Sequence, residues 1–289
     1  MQSMCGRLEQ VLVARPTGWG AGCDWRGLGY RRAPDAALAA AQHEALVAIL
    51  RAGGAEVLEL DGDGLSADAV YTHDASFPTD AGVIAMRMGK AAREEEPGAH
   101  VARLAQLGVR QLGAVEAPGS VEGGDLVWLD PRTLLVGRGF RTNAAGVAQL
   151  RAMLPNVEII EVHLPYGNGP GECLHLMSLM SVLDERTILV DRAWLTVPCF
   201  TLLSSRGIRL IDIDGDERDG FACNVLSLGG GRVVALEQSP ATNERMRDAG
   251  FCVLTFDGSE IALNGGGGPT CLTRPLRRGY PDDGRRMRP

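Results

Sequence analysis

The chain has 289 residues, 45% of them hydrophobic and 22% charged, with a formal net charge of −7. That is enough apolar material for a full core in one large domain or two small ones. The negative balance, with no basic stripe interleaved with aromatics, speaks against a nucleic-acid surface. No apolar run approaches the ~20 residues that span a bilayer, and the opening residues Met1 to Arg7 lack the charged-then-apolar pattern of a signal segment. The seven cysteines follow no regular spacing and include no CxxC pair, so neither a disulfide framework nor a zinc site is indicated. A cytoplasmic protein without metal or organic cofactor is the expectation.

Along the chain, a helix, a short break and a strand recur five times. The helices are expected at 37–51, 99–107, 144–154, 200–206 and 242–249. The strands that follow are expected at 57–60, 109–115, 157–162, 208–213 and 251–256. A Gly or Asn after each helix supplies a left-handed terminator. Hairpins intervene: 126–129 with 133–136 across Asp130-Pro131-Arg132, 179–183 with 187–190 across Asp184-Glu185-Arg186, and 225–228 with 232–236 across Gly229-Gly230-Gly231. Residues 81–86 offer a return strand to the first unit. The N-terminal strand Leu8 to Ala14 has no helix before it and is expected to complete the last unit, closing a ring. The reading is a single catalytic domain over residues 1–276 and a basic, frayed tail over 277–289.

Asp74, Glu122, His175, Asn224 and Cys271 stand at matching phases of this repeat, at spacings of 48, 53, 49 and 47 residues. A repeat fold that closes on itself gathers such positions around one axis. Cys271 ends a run of four glycines that lets backbone approach a ligand closely. His175 is flanked by Leu174 and Leu176, where a histidine is more often core than functional, but its phase makes it the first choice among the five histidines. Glu122, in Val121-Glu122-Gly123-Gly124-Asp125, suits a carboxylate that orients an imidazole. Asp68 and Asp74, read as flanking a strand, suit a planar cation able to donate paired hydrogen bonds. A thiol, an imidazole and carboxylates are the parts of a thiol-nucleophile enzyme.

Together, Val121-Glu122-Gly123-Gly124-Asp125, Arg141-Thr142-Asn143, His175-Leu176-Met177-Ser178 and the glycine loop ending in Cys271 resemble the guanidine-modifying enzymes. That group includes dimethylargininases, arginine deiminases and amidinotransferases. The resemblance runs in order over nearly the whole chain. It implies an α/β pentein fold, a fivefold pseudo-symmetric propeller of ββαβ units. It also implies Cys271 as nucleophile, His175 as acid–base group and Glu122 as its support. Asp68 and Asp74 fall on acids that hold the guanidinium, Arg93 and Arg141 on arginines that bind the amino-acid carboxylate, and Gly18-Trp19-Gly20 on a mobile lid. Met177 stands where deiminases and amidinotransferases carry an Asp, whereas His73 stands where dimethylargininases usually carry a Glu. The cysteine loop looks closer to that of the deiminases.

The implied activity is hydrolysis at the guanidino carbon of arginine or an N-methylated arginine, giving citrulline plus an amine or ammonia through a thiouronium. Amidino transfer and an arginine dihydrolase reaction are alternatives on the same scaffold. A ribosome-associated factor of the same fold gives a non-enzymatic alternative, against which the intact Cys271, His175 and Glu122 set speaks. The expected partner is a small guanidino compound, with no nucleic acid and no membrane; a homodimer is left open.

Overall fold

A computed structural model describes residues 2–279 except 168 and 170–174. In chain order the elements are β1 (Leu8–Ala14), α1 (Trp25–Leu28), α2 (Ala36–Ala52), β2 (Glu56–Leu60), β3 (Ser76–Thr79), β4 (Gly82–Ala85), α3 (Glu96–Gln106), β5 (Gln111–Ala114), β6 (Leu126–Asp130), β7 (Thr133–Arg138), α4 (Ala144–Met153) and β8 (Glu158–His163). There follow β9 (Met180–Asp184), β10 (Thr187–Val190), α5 (Val197–Ser205), β11 (Arg209–Asp212), β12 (Leu226–Gly229), β13 (Arg232–Leu236), α6 (Pro240–Asp248), β14 (Cys252–Phe256) and β15 (Arg274–Arg278). Among the described residues no helix is long and apolar enough to cross a membrane.

The strands form five separate three-stranded sheets. In four of them an antiparallel hairpin precedes a helix, and the strand after that helix pairs in parallel with the hairpin's second strand, as β6, β7 and β8 do. The remaining sheet takes its three strands from both chain ends: β1 pairs antiparallel with β15 and parallel with β2. The ring is therefore closed by a terminal strand, as expected, but by a different one. β14 lies against β13, and β1 is the centre of its own sheet rather than a supplement to the last. Pairing also holds Arg277 and Arg278 in β15, past the boundary placed at 276.

Local chemistry explains the element ends. Asp35 caps α2 by accepting from Ala37 N and Leu38 N, both at 3.0 Å. The helices α3, α5 and α6 begin two or three residues earlier than the apolar pattern suggested, each with a proline in its first turn, where the missing N–H costs nothing. Glycines with positive φ follow α2, α3, α5 and α6. After α4 there is none; Leu154 N closes on Leu150 O at 2.9 Å and Pro155 stops the helix. Two hairpins turn on the same device, an Asp side chain accepting from the N–H two residues on, Asp130 to Arg132 and Asp184 to Arg186, both at 2.8 Å.

Five apolar clusters lie at the five seams between neighbouring sheets. Leu46, Leu50 and Val11 meet Leu226, Val234 and Leu236 at the seam between the first and last sheets. Phe77 and Ile84 meet Leu126 and Trp128, with the Phe77 and Trp128 rings stacked at 5.5 Å. Val127 and Leu135 meet Met180 and Val182, Leu183 and Leu189 meet Val225 and Val233, and Leu12 and Leu60 meet Ala99 and Leu65. Apolar burial at about 25 cal/mol per Å² thus binds each sheet to both neighbours.

Candidate active site

Each residue singled out by phase precedes the strand that pairs antiparallel with the centre of its sheet: Asp74 before β3, Glu122 before β6, His175 before β9, Asn224 before β12 and Cys271 before β15. The ring brings them together. Ligand-capable atoms of Asp74, Glu122 and His175 all lie within 4.8 Å of one another, and all three residues are buried. His175 Nε2 is 2.8 Å from Glu122 Oε2, and its Nδ1 is 4.0 Å from Asp74 Oδ1. The backbone N–H of His73, next to Asp74, donates to the carbonyl of Cys271 at 3.1 Å. The thiol loop is thus stitched to the carboxylate–imidazole cluster through a single residue.

The glycines of the loop have steric reasons to be there. A Cβ on Gly267 would lie 2.7 Å from the Tyr71 ring and 2.9 Å from Cys271 Cβ, and one on Gly268 would lie 2.7 Å from Asn224 Oδ1. At Gly124, a Cβ would stand 2.5 Å from His175 Nδ1. Only a bare backbone lets these groups approach so closely.

Both central carboxylates are fixed as anions. Burial pushes Glu122 up, but the His175 hydrogen bond and charge and the nearby Arg141 outweigh it and hold its carboxyl below the usual range. Burial likewise raises Asp74, and His175 and Arg93 more than reverse it. Asp74 accepts from Gly124 N at 2.9 Å and pairs with Arg93 at 2.8 Å; Glu122 accepts from Gly89 N at 2.8 Å and pairs with Arg141 at 2.9 Å. As a donor set for a divalent cation, the cluster would place the ion beside two guanidinium groups. The arrangement better suits an imidazole held and charged by carboxylates.

Four sequence expectations change here. Arg93, with a side chain 5% exposed, gives its donors to Glu96, Asp74 and the Tyr71 carbonyl, so it is an internal partner of Asp74 rather than an arm toward a ligand's carboxylate. Asp68 is outside the three-residue cluster; its carboxylate pairs with Lys90. The segment holding it is a 3-10 turn, Ala67–Val70, closed by Tyr71 N to Asp68 O at 2.8 Å, because no neighbouring strand is there to pair with it. Trp19, placed on a mobile lid, is fully buried, with Nε1 bonded to the Ala67 carbonyl at 3.0 Å and its ring 5.0 Å from Tyr30. Among its neighbours, Gly20, Ala21 and Gly22 are exposed and line a cavity of 570 Å³.

His73 is committed to the interior between the Thr273 carbonyl at 2.8 Å and Arg274, whose Nη2 lies 2.6 Å from its Nε2. Burial and the Arg274 charge hold it well below the usual histidine range, so it is neutral. Met177 packs in the apolar seam beside Val127 and Met180. The glycine-rich stretch before His175 lies largely outside the described residues.

Two residues were given no role from sequence. Asn224 Nδ2 donates to Cys271 Sγ at 3.1 Å while its Oδ1 accepts from Thr270 N at 2.9 Å; its phase in the repeat was the only signal. Asp125 accepts from Thr142 Oγ1 at 2.6 Å and from Leu176 N at 2.9 Å, and Thr142 Oγ1 in turn accepts from Glu122 N at 3.3 Å. It therefore ties the backbone beside Glu122 to that beside His175. Burial pushes its carboxyl up to about 6.

Comparison with known proteins identifies the family and the fold. Residues 30–278 match the family of eukaryotic N,N dimethylarginine dimethylhydrolases. An N(G),N(G)-dimethylarginine dimethylaminohydrolase of Streptomyces coelicolor is 32% identical over 250 residues, 86% of this chain and 90% of that one. A mutant of the Pseudomonas aeruginosa enzyme, solved with citrulline, superposes with a TM-score of 0.77 at 24% identity, over 93% of this chain and 99% of that one. The N-terminal domain of ArgZ, a cyanobacterial arginine dihydrolase solved with its product, gives 0.80 at 19% identity, over 93% and 97% of the two chains. The five sheets are those of the pentein fold shared by these structures. With the family match spanning most of the chain, this protein belongs to the N,N dimethylarginine dimethylhydrolase family, within the guanidine-modifying superfamily.

Proposed function

We propose that the protein is a cysteine-dependent hydrolase of the guanidino C–N bond of arginine or an N-methylated arginine, giving citrulline plus an amine or ammonia. The observation that carries this reading is the convergence of Asp74, Glu122 and His175 beside a thiol held by Asn224. Cys271 Sγ adds to the electrophilic guanidino carbon; a cationic substrate and the Asn224 N–H favour the thiolate. The bond to the leaving nitrogen breaks as His175 delivers a proton to it, and a covalent thiouronium remains. Water then adds to the same carbon, His175 takes its proton, and the C–S bond breaks to return the thiol.

Glu122, bonded to Nε2, fixes the imidazole and supports its cationic form, so proton transfer is assigned to Nδ1, on the Asp74 side. Asp74, anionic and held by Arg93 and Gly124, is the acceptor for the substrate guanidinium. Of the two arginines, Arg141 is assigned to the ligand carboxylate, which its 19% exposure against 5% for Arg93 supports. The test is Cys271→Ser, assayed with arginine and methylarginines for citrulline by mass spectrometry. Turnover is expected to vanish while calorimetric binding persists; a Ser variant that still makes citrulline overturns the scheme.

A further inference from the structure

We propose that the interior of the ring holds a second binding site: a small cavity that takes one monatomic inorganic anion, a halide such as chloride, against the guanidinium of Arg274. Binding there is independent of the hydrolase reading, since it depends on charge and space alone.

Arg274 opens β15 and is 4% exposed. Burial lowers its pKa to about 9, which still leaves the guanidinium charged at neutral pH. Its partners are all neutral. Nη1 donates to the Ser76 carbonyl at 2.7 Å, and Nη2 lies 2.6 Å from His73 Nε2. The Thr273 carbonyl can only accept, so His73 donates to it from Nδ1 and keeps Nε2 as a neutral acceptor for Arg274. Nε of Arg274 is buried with no hydrogen-bond partner among the described residues. No carboxylate among them pairs with Arg274 either; Asp74, whose charge acts on it from further off, is taken by Arg93. A buried cation with an unspent donor and no anion beside it is costly, and a counter-ion relieves both costs.

There is space for one. Arg274, Arg278, His73, Phe77 and Trp128 belong to the wall of a cavity of 40 Å³. A single water needs ~10–15 Å³, so a monatomic ion fits. No Asp or Glu lines the cavity, so nothing on its wall repels an anion. Arg278 brings a second buried guanidinium, bonded to the Gly6 and Ser227 carbonyls at 2.7 and 2.9 Å. Phe77 and Trp128 give an apolar wall, against which a charge pair is little screened. The adjoining cavity, of 20 Å³, takes Val127, Ser181, Ser227 and Pro275 from four sheets and His73 from beside the fifth, which sets the site toward the axis of the ring.

The experiment replaces gluconate, too large to enter, by bromide at constant ionic strength, with the wild-type protein, His73→Glu and Arg274→Gln. His73→Glu sets a carboxylate where Nε2 now meets Nη2, and Arg274→Gln removes the cation, so each ends the need for a counter-ion. In the wild-type protein, bromide at about ten times its dissociation constant is expected to raise the unfolding temperature by ~3 °C. Crystals grown in bromide are expected to show an anomalous-scattering peak beside Arg274. Both variants should shift by less than ~1 °C and show no peak there. Absence of the peak from the wild-type protein overturns the site whatever the unfolding temperature does. A peak or a shift as large in the variants as in the wild-type protein overturns the role of Arg274. Should one variant not fold, the other decides; should neither fold, the wild-type peak decides alone.

Discussion

Asn224 holds the sulfur of Cys271 through its amide nitrogen at 3.1 Å, while its carbonyl oxygen anchors Thr270 N at 2.9 Å. The donor aimed at sulfur favours the thiolate. Asn224→Asp keeps the anchor but turns the donor into an oxygen, and an anion beside the thiolate raises its pKa. The expected result is a fall in kcat/KM of roughly 100-fold, the scale of a lost catalytic donor. The pH profile of iodoacetamide alkylation at Cys271 should move upward. An unmoved profile would show that the contact leaves the thiol indifferent.

Gly124 leaves no room for a side chain, its imagined Cβ standing 2.5 Å from His175 Nδ1 and 3.1 Å from Asp74 Oδ1. Gly124→Ala must displace the imidazole, which costs proton transfer more than it costs folding. We expect kcat to drop by about 100-fold, the scale of lost acid–base catalysis, with the unfolding midpoint in urea little changed. Kinetics and denaturation on one preparation check both parts.

Asp125 gives a pH signature of opposite sign to that of its neighbours. Its folded pKa of about 6 exceeds the ordinary aspartate value of 3.8 because burial disfavours the charge. Above pH 6 it is ionised in both states and its burial costs stability. Between 6 and 3.8 the folded state alone takes up the proton, and stability recovers as pH falls. Asp125→Asn lacks this response, so the wild-type protein should gain on the variant by up to about 3 kcal/mol across that window. The depressed groups Glu122 and Asp74, which lose stability as pH falls, are common to both proteins and cancel. Denaturant unfolding at a series of pH values measures the difference; a flat difference would refute the assignment.

Arg93 is the cation for two buried carboxylates, Asp74 at 2.8 Å and Glu96 at 2.8 Å. Arg93→Met leaves both without it, and breaking a buried pair from one side costs about 3–5 kcal/mol. The unfolding free energy should fall by that amount, with activity lost as well. A variant of unchanged stability whose only defect is a raised KM would restore Arg93 to the role of a ligand-binding arm.

The fold was legible because the repeat wrote it several times. Helices 37–51 and 144–154 and strands 157–162 and 251–256 were placed to within a residue or two of α2, α4, β8 and β14. The grouping of elements into units was harder to read, since a hairpin before a helix and one after it produce the same string. Only pairing of β1 with β15, between the two ends of the described chain, settles which is meant. At the site, phase alone located Asp74, Glu122, His175, Asn224 and Cys271. The resemblance could not show which charges the protein neutralises itself. Lys90 on Asp68 and Arg93 on Asp74 are contacts across 22 and 19 residues, and no pattern in residue type announces them. Trp19 misled for a related reason: the resemblance put it on a mobile lid, and only the third dimension supplies the Ala67 carbonyl that pins it.

The strand that shuts the ring begins at Arg274, a few residues after Cys271; its backbone pairs with β1 alone, and Arg274 and Arg278 reach the carbonyls of Ser76 and Ser227 in the neighbouring sheets. Peeling this strand away would unseat the sulfur while the three apolar seams among the other four sheets stayed packed. The enzyme would then fall silent under mild denaturant before most of its architecture had come apart, so that its chemistry reports on the last stitch of the fold.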